Sequence, residues 1–192
     1  SRPLITFIRR SRGYAPYALD VPIDLSPAVG LGAELKVTLS LARGRTVYIS
    51  QHIGDVKNDE TFDSHRAAFE HLAKLYQLAP SLAACDLHPD FRTSRKAREG
   101  YYGDVEEVQH HHAHMAACMA ENQLTGTTIG VVFDGAGYGL DGTIWGGEFL
   151  LGDYRSVERV AHLRRFPLLG GDQAVREPGR TGVALAMDAL GG

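Results

Sequence analysis

The stretch from Gln109 to Gly139 constrains the fold of this chain more than any other part of it. His110 and His114 stand four positions apart, so on a helix they project from one face, at the spacing that lets two imidazoles share one metal ion. Fifteen residues past His114 an apolar run, Ile129 to Phe133, delivers Asp134 into Gly135-Ala136-Gly137-Tyr138-Gly139. A metal site needs ligands converging from separate elements, and a helix followed by a strand that ends on a carboxylate supplies them.

The rest of the chain alternates between strand and helix periods. Residues 28–41 alternate apolar with polar or small side chains, and Gly44 precedes Thr46-Val47-Tyr48-Ile49-Ser50, which predicts two strands joined by a hairpin. From Asp59 the period lengthens: Phe69, Leu72, Ala73 and Tyr76 recur at helical spacing, with Asp59 or Thr61 as N-cap and Pro80 beyond the end. A buried strand over 82–87 and a polar helix over 92–99 follow. A short strand at 105–108 then leads into the histidine helix, which is expected to bury Met115, Ala116, Met119 and Ala120. Strands at 129–133, 143–151 and 157–163, and a helix at 181–190, complete the pattern. This order is a partial internal repeat, with a three-stranded meander before a helix in each half, and it predicts an α/β layout of two related lobes, the second incomplete. Pro16, Pro22 and Pro27, with the basic segment Arg9-Arg10-Ser11-Arg12-Gly13, give residues 1–27 the character of a linker.

Composition excludes several classes. With 192 residues, 44% hydrophobic and 22% charged, the chain suits one soluble domain or two small lobes. A net charge of −3 removes any general attraction to nucleic acid, and none is expected as a partner. Cys85 and Cys118 have no CxxC spacing, so neither a disulfide framework nor a cysteine zinc site is encoded, and a reducing, cytoplasmic location is expected. Cys118 reads as a small packing residue. No apolar stretch approaches the roughly 18 to 20 residues that span a bilayer, so no membrane partner is expected.

A mixed nitrogen and oxygen donor set from His110, His114 and Asp134 suits zinc or ferrous iron with positions left open for a substrate. His111 and His112 point elsewhere on a helix, as outer supporting or substrate-facing groups. The plainer alternative makes the histidine run only a polar helix start. The glycine segment has G-x-G-x-G spacing and is followed by a strand rather than a helix, so the dinucleotide-binding fingerprint does not apply. Its backbone N–H groups still suit an anion nest, with an ordinary hairpin as the alternative. Gly170-Gly171-Asp172 offers a second such turn, in which Asp172 is placed to hold a ribose hydroxyl. His88-Pro89-Asp90 reads as a strand-terminating turn, and Arg92, Arg95, Lys96 and Arg98 as a solvated helix face.

Val108-Gln109-His110-His111-His112-Ala113-His114-Met115-Ala116-Ala117-Cys118 and Phe133-Asp134-Gly135-x-Gly137-Tyr138-Gly139-x-Asp141-Gly142-Thr143-Ile144-Trp145-Gly146-Gly147-Glu148-Phe149 together resemble the HypF carbamoyltransferase family of NiFe-hydrogenase maturation. The likeness continues at Ser50-Gln51-His52-Ile53-Gly54-Asp55, Asp86-Leu87-His88-Pro89-Asp90 and Gly170-Gly171-Asp172-Gln173-Ala174, and so covers nearly the whole chain. It implies an actin-like (ribonuclease-H-like) α/β fold, related to the tRNA threonylcarbamoyl-transferases, with mixed sheets flanked by helices. Residues 28–126 would form the first lobe and 127–192 the start of a second, with 1–27 as linker and tail of a preceding YrdC-like domain.

The resemblance also implies the chemistry. Carbamoyl phosphate and ATP give carbamoyladenylate, and the carbamoyl group passes to the C-terminal cysteine of HypE, supporting synthesis of the cyanide ligand. It places His110, His114 and Asp134 on the ligands of one divalent metal, zinc or iron. It places Asp134, Gly135, Gly137, Gly170, Gly171 and Asp172 around the nucleotide or carbamoyladenylate. A further aspartate ligand is expected beyond residue 192, which makes the chain dependent on other segments for activity. Two alternatives accompany this reading: an O-carbamoyltransferase acting on a small-molecule hydroxyl, and an inactive fragment that binds metal or partner.

Overall fold

The structure, a computed structural model, describes residues 15–171 and 173–191. Its first part comprises β1 (Tyr17–Gly30), β2 (Ser40–Ile49), α1 (Asp59–Leu75), β3 (Leu82–Asp86), α2 (Arg92–Arg98), β4 (Asp104–Val108) and α3 (His110–Glu121). The second comprises β5 (Thr128–Tyr138), β6 (Ile144–Gly152), β7 (Val157–His162), α4 (Gln173–Arg176) and α5 (Gly179–Leu190). Among the described residues the sheets have the orders β2-β1-β3-β4 and β5-β6-β7. The first is mixed, with β1 antiparallel to β2 but parallel to β3, and β3 parallel to β4. The second is antiparallel throughout. Two sheets with flanking helices, the second smaller, is the α/β class that the sequence pattern predicts.

Several local expectations need correction. Residues 17–27 are strand rather than linker. Their prolines, which lack the N–H a ladder needs, coincide with interruptions instead: the β1–β2 register slips between Asp20 and Leu25, around Pro22, and between Leu25 and Ala28, around Pro27. Residues 1–14, including Arg9 to Arg12, lie outside the described residues. Gly44 is not a hairpin turn; β2 runs through it in a left-handed conformation, opposite Leu25. The expected third strand of the first meander shrinks to a single bridge between Val37 and Gly54. In the second sheet β5 continues past Phe133 to Tyr138, and the turn comes later, where Gly139 N donates to Thr143 O at 2.8 Å.

Helix α1 begins at Asp59, and its cap is Asn58 rather than Asp59 or Thr61. Asn58 is extended and its side chain accepts from Thr61 N at 2.8 Å, while Asp59 and Glu60 complement the positive end of the helix dipole. Its inner face, Phe62, His65 and Leu72, turns toward the sheet. Val29, Leu31, Leu39, Leu41, Leu72, Leu78, Ala83, Cys85, Ala97 and Tyr102 form the core of the first part. A separate cluster, Met115, Met119, Val132, Trp145 and Leu150, joins α3 to the second sheet. Helix α3 is thus shared between the two sheets. Ala116 and Ala120 are only half-buried beside Met115 and Met119. Cys118 is exposed, against the expectation of a packing role.

Candidate metal and nucleotide site

Strands β3 and β4 end side by side, with Asp86 opposite Val108. The chain leaves Val108 through Gln109 directly into α3, so His110 starts the helix beside the carboxyl end of β3. Gln109 is an unusual N-cap with three tasks. Its Oε1 accepts from His112 N at 2.9 Å, and its Nε2 donates to Tyr138 O at 3.1 Å and to His111 Nδ1 at 3.2 Å. The helix start is therefore tied to β5 before any ligand is considered.

The helical period divides the four histidines. His111 shares the buried face with Met115 and Met119, one and two turns on. Its Nε2–H donates to Gly146 O at 3.2 Å, and burial pushes its pKa below the ordinary value, which keeps the ring neutral. His112 Nε2–H donates to Asp153 O at 2.8 Å. Both rings fasten α3 to carbonyls of β6 and of the turn after it, and His111 is fully buried. The Gly146 acceptor is held in turn by Glu148, whose Oε1 accepts from Gly146 N at 2.9 Å while Oε2 pairs with Arg159. Burial alone would raise the pKa of Glu148, but Arg159 and the Gly146 N–H together bring it below the ordinary range.

His110 and His114 are left on the open side of α3. The β5–β6 ladder brings Asp134 to them: β5 advances from Phe133 to Gly137 while β6 moves only from Gly147 to Trp145. Asp134 follows Gly130 and Val132 on the face of β5 turned toward α3, and the bulge beyond it brings Gly137, at an odd position, onto that same face. Asp134 Oδ1 is fixed by Gly135 N at 2.8 Å, which leaves Oδ2 aimed at the histidines. Oδ2 lies 2.8 Å from His110 Nε2 and 3.5 Å from His114 Nε2, and the two Nε2 atoms are 3.2 Å apart. Side-chain exposure rises from 20% at His110 through 33% at Asp134 to 55% at His114, so the triangle opens toward solvent on one side.

The triangle passes a simple test for metal. Ligand atoms about 2.0 Å from a tetrahedral ion stand about 3.3 Å from one another, and the observed edges of 2.8, 3.2 and 3.5 Å bracket that value. Three acceptor atoms facing each other at this range repel unless a proton or a cation lies between them. The pKa of His110 is raised, chiefly by its hydrogen bond to Asp86 outside the triangle and then by the charges of Asp86 and Asp134, against the opposing effect of burial.

Asp86 is the residue that sequence reasoning misses. Its Oδ2 accepts from His110 Nδ1 at 2.6 Å, and its sequence signals are its place at the head of Asp86-Leu87-His88-Pro89-Asp90 and a carboxylate at the carboxyl end of a parallel strand, where open α/β sheets place ligands. His88, two residues on, occupies the expected turn: its N–H donates to Asp86 Oδ1 at 2.8 Å and its ring stacks on Phe91 at 4.1 Å. The basic face of α2 is largely paired within the chain, Arg92 with Asp59, Lys96 with Glu99 and Arg98 with Glu107.

The glycines divide into two kinds. A Cβ on Gly137 would lie 2.7 Å from His111 Cε1 and 2.9 Å from His110 Cβ, so this glycine lets β5 approach the helix start. A Cβ on Gly135 or Gly171 would meet nothing within 4 Å, so these positions face open space. Gly170 and Gly171 adopt positive φ of 86° and 58° in the turn before α4. Asp172 lies outside the described residues. On the other flank of the histidines, a cavity of about 270 Å³ opens against Gly32, Ala33, Asp86, His110, Ala113 and His114.

The chain has close counterparts among characterised proteins. Residues 24–121 match the family model described as the HypF Kae1-like domain, and residues 130–192 match the second subdomain of the carbamoyltransferase Kae1-like domain. It is 45% identical over 185 residues to carbamoyltransferase HypF of Rhizobium leguminosarum bv. viciae, covering 96% of this chain and 24% of that protein. It is 44% identical over 192 residues to carbamoyltransferase HypF2 of Cupriavidus necator, covering 98% and 24%. A crystal structure of full-length HypF in a phosphate- and nucleotide-bound form superposes with a TM-score of 0.89 at 37% identity, covering 96% of this chain and 24% of that one. Structure of HypF from T. kodakarensis gives 0.87 at 38% identity, covering 94% and 24%. The chain therefore spans about a quarter (24%) of the length of these relatives. With the motifs, both sheets and the histidine helix all in agreement, this chain belongs to the HypF carbamoyltransferase family.

Proposed function

We propose that this chain forms the carbamoyl-transfer site of a HypF-type protein, with a first lobe that takes in all of β1 and runs to residue 126 and a second from 127, and that His110, His114 and Asp134 hold one divalent metal, zinc or iron. The observation that carries the reading is the meeting of two Nε2 atoms from α3 with one carboxylate oxygen from β5, three donors from one helix and one strand within 4.8 Å of one another. A divalent ion bound there would polarise the carbamoyl oxygen. The protein's own groups do the rest: Asp134 is oriented by the Gly135 N–H, and His110 is held by Asp86.

In this reading carbamoyladenylate, made elsewhere from carbamoyl phosphate and ATP, lies along Asp134 and Gly135, with Gly170, Gly171 and Asp172 near its nucleotide. The open space at Gly135 and Gly171 leaves room for such a ligand to approach their backbone. Gly137 contributes indirectly, by admitting the helix start. The acceptor is the C-terminal cysteine of HypE, and the cavity beside the histidines gives room for its approach. The thiolate sulfur forms a bond to the carbonyl carbon, the bond from that carbon to the phosphate oxygen breaks, and AMP leaves. Free Cys85 and Cys118 accord with a reducing, cytoplasmic setting, and no described helix is long and apolar enough to cross a membrane.

The test pairs metal content with transfer. In the full chain, His110→Ala, His114→Ala and Asp134→Asn should each lower bound zinc or iron by elemental analysis. Each should also reduce carbamoylation of the HypE cysteine, measured by mass spectrometry with carbamoyladenylate supplied. Wild-type metal content and transfer in these variants would refute the assignment.

A further inference from the structure

We infer that Asp86 is a positioning residue that holds His110 in the tautomer able to bind metal, an inference that rests on the metal site proposed above. Three observations lead to it. Asp86 Oδ2 lies 2.6 Å from His110 Nδ1, the nitrogen that points away from the donor triangle. Asp86 Oδ1 is already engaged by His88 N at 2.8 Å, so both carboxylate oxygens are held, and the backbone carbonyl of Asp86 accepts from Ser94 Oγ at 2.7 Å. Its side chain is only 5% exposed, and among the described residues its one ion-pair partner is His110.

A neutral imidazole carries one proton. With that proton on Nδ1 and donated to Asp86, Nε2 presents a lone pair toward His114 and Asp134; with the proton on Nε2, the ligand position is blocked. The two ring nitrogens diverge, so Asp86 bound at Nδ1 does not itself reach the point where the other donors meet. A hydroxyl or amide would suffice to cap the turn at His88. Burying a full negative charge with a single ion-pair partner is costly, and the cost is offset when that partner carries positive charge, as a proton or through a bound cation. Asp86 therefore both selects the tautomer and makes His110 a more basic ligand.

The experiment is a zinc titration of the metal-stripped full chain against a chromophoric chelator. Asp86→Asn preserves shape and an oxygen for His88 N, but it turns an amide N–H toward Nδ1 and favours the wrong tautomer. Its zinc affinity should fall about 10- to 100-fold. Glu107→Gln, which removes a half-exposed charge on the neighbouring strand, should leave affinity unchanged. If Asp86→Asn does not fold, long-range proton–nitrogen NMR of the zinc-loaded wild type decides the matter. His110 should show a low-field, slowly exchanging proton on Nδ1, and metal on Nδ1, or a freely exchanging proton there, would overturn the inference. Wild-type zinc affinity in Asp86→Asn together with loss of zinc in His110→Ala would overturn the role of Asp86 and leave the metal reading intact. Wild-type affinity in His110→Ala would overturn both.

Discussion

The two sheets bury their apolar residues in different ways. In the first, Val29, Leu31, Leu39 and Leu41 are 1% exposed or less, packed beneath α1 and against Ala97 and Tyr102. In the second, β5 alternates as far as Phe133: Val132 is buried against α3, while Ile129, Val131 and Phe133 on the opposite face are 68%, 58% and 65% exposed. One sheet is covered by its own helices, whereas the other shares a helix with its neighbour and leaves a face bare. The difference shows how the site is assembled. The first part provides a rigid platform, in which β3, β4 and α3 position Asp86 and the histidines. The second is held to that platform by the α3 face itself, through His111, His112 and Met115, so the Asp134 donor depends on the contact between the parts.

The sharpest way to break this contrast is to empty the first core. Leu41→Ala should cost about 2–5 kcal/mol, read by urea denaturation, because the surrounding strands cannot collapse onto the hole. A cost near zero would mean that the platform is not rigid.

Next comes the contact between the parts. Gly137→Ala forces a methyl against His111 and His110 and should cost about 1–3 kcal/mol while weakening zinc binding. Gly135→Ala, one turn of the bulge away and facing open space, should leave stability unchanged. Equal destabilisation by the two would remove the distinction between supporting and ligand-facing glycines.

The first core also contains a proton-sensitive group. His65 is fully buried, its Nε2–H donates to Leu31 O at 3.0 Å and its Nδ1 has no partner among the described residues, so burial lowers its pKa from the ordinary 6.5. Below that value the unfolded chain takes up a proton that the folded chain refuses. Stability should therefore fall as pH drops below 6.5, with a slope approaching about 1.4 kcal/mol per pH unit, and should be insensitive to this group above it. His65→Gln, which keeps a donor but does not titrate, should flatten the slope in denaturation measured from pH 7.5 to 5.5. An unchanged slope would assign the acid sensitivity elsewhere.

The smallest effect belongs to the bare face. Phe133→Ser should change stability by no more than about 0.5 kcal/mol in this chain, despite removing a large aromatic ring. A larger loss would show that the face is covered in solution.

Local order made much of this protein legible. The i, i+4 spacing of His110 and His114, the strand that carries Asp134 and the helical period from Asp59 all rest on contacts a few residues apart, and these the sequence determined by itself. Fold class followed, because the order of strand and helix runs restricts how the layers can pack. The prolines at 22 and 27 misled for a related reason: they describe a local inability to donate, which an irregular strand accommodates through slips in register. What only the tertiary structure decided is which side chains meet across the sheet. That Asp86 serves His110 depends on β3 and β4 lying side by side in parallel, with their ends level. That Gly137 admits a helix, while Gly135 stays open, depends on the bulge of β5 against β6 and on the seat of α3. Both are matters of register between segments distant in sequence, and no periodicity within a single segment encodes them.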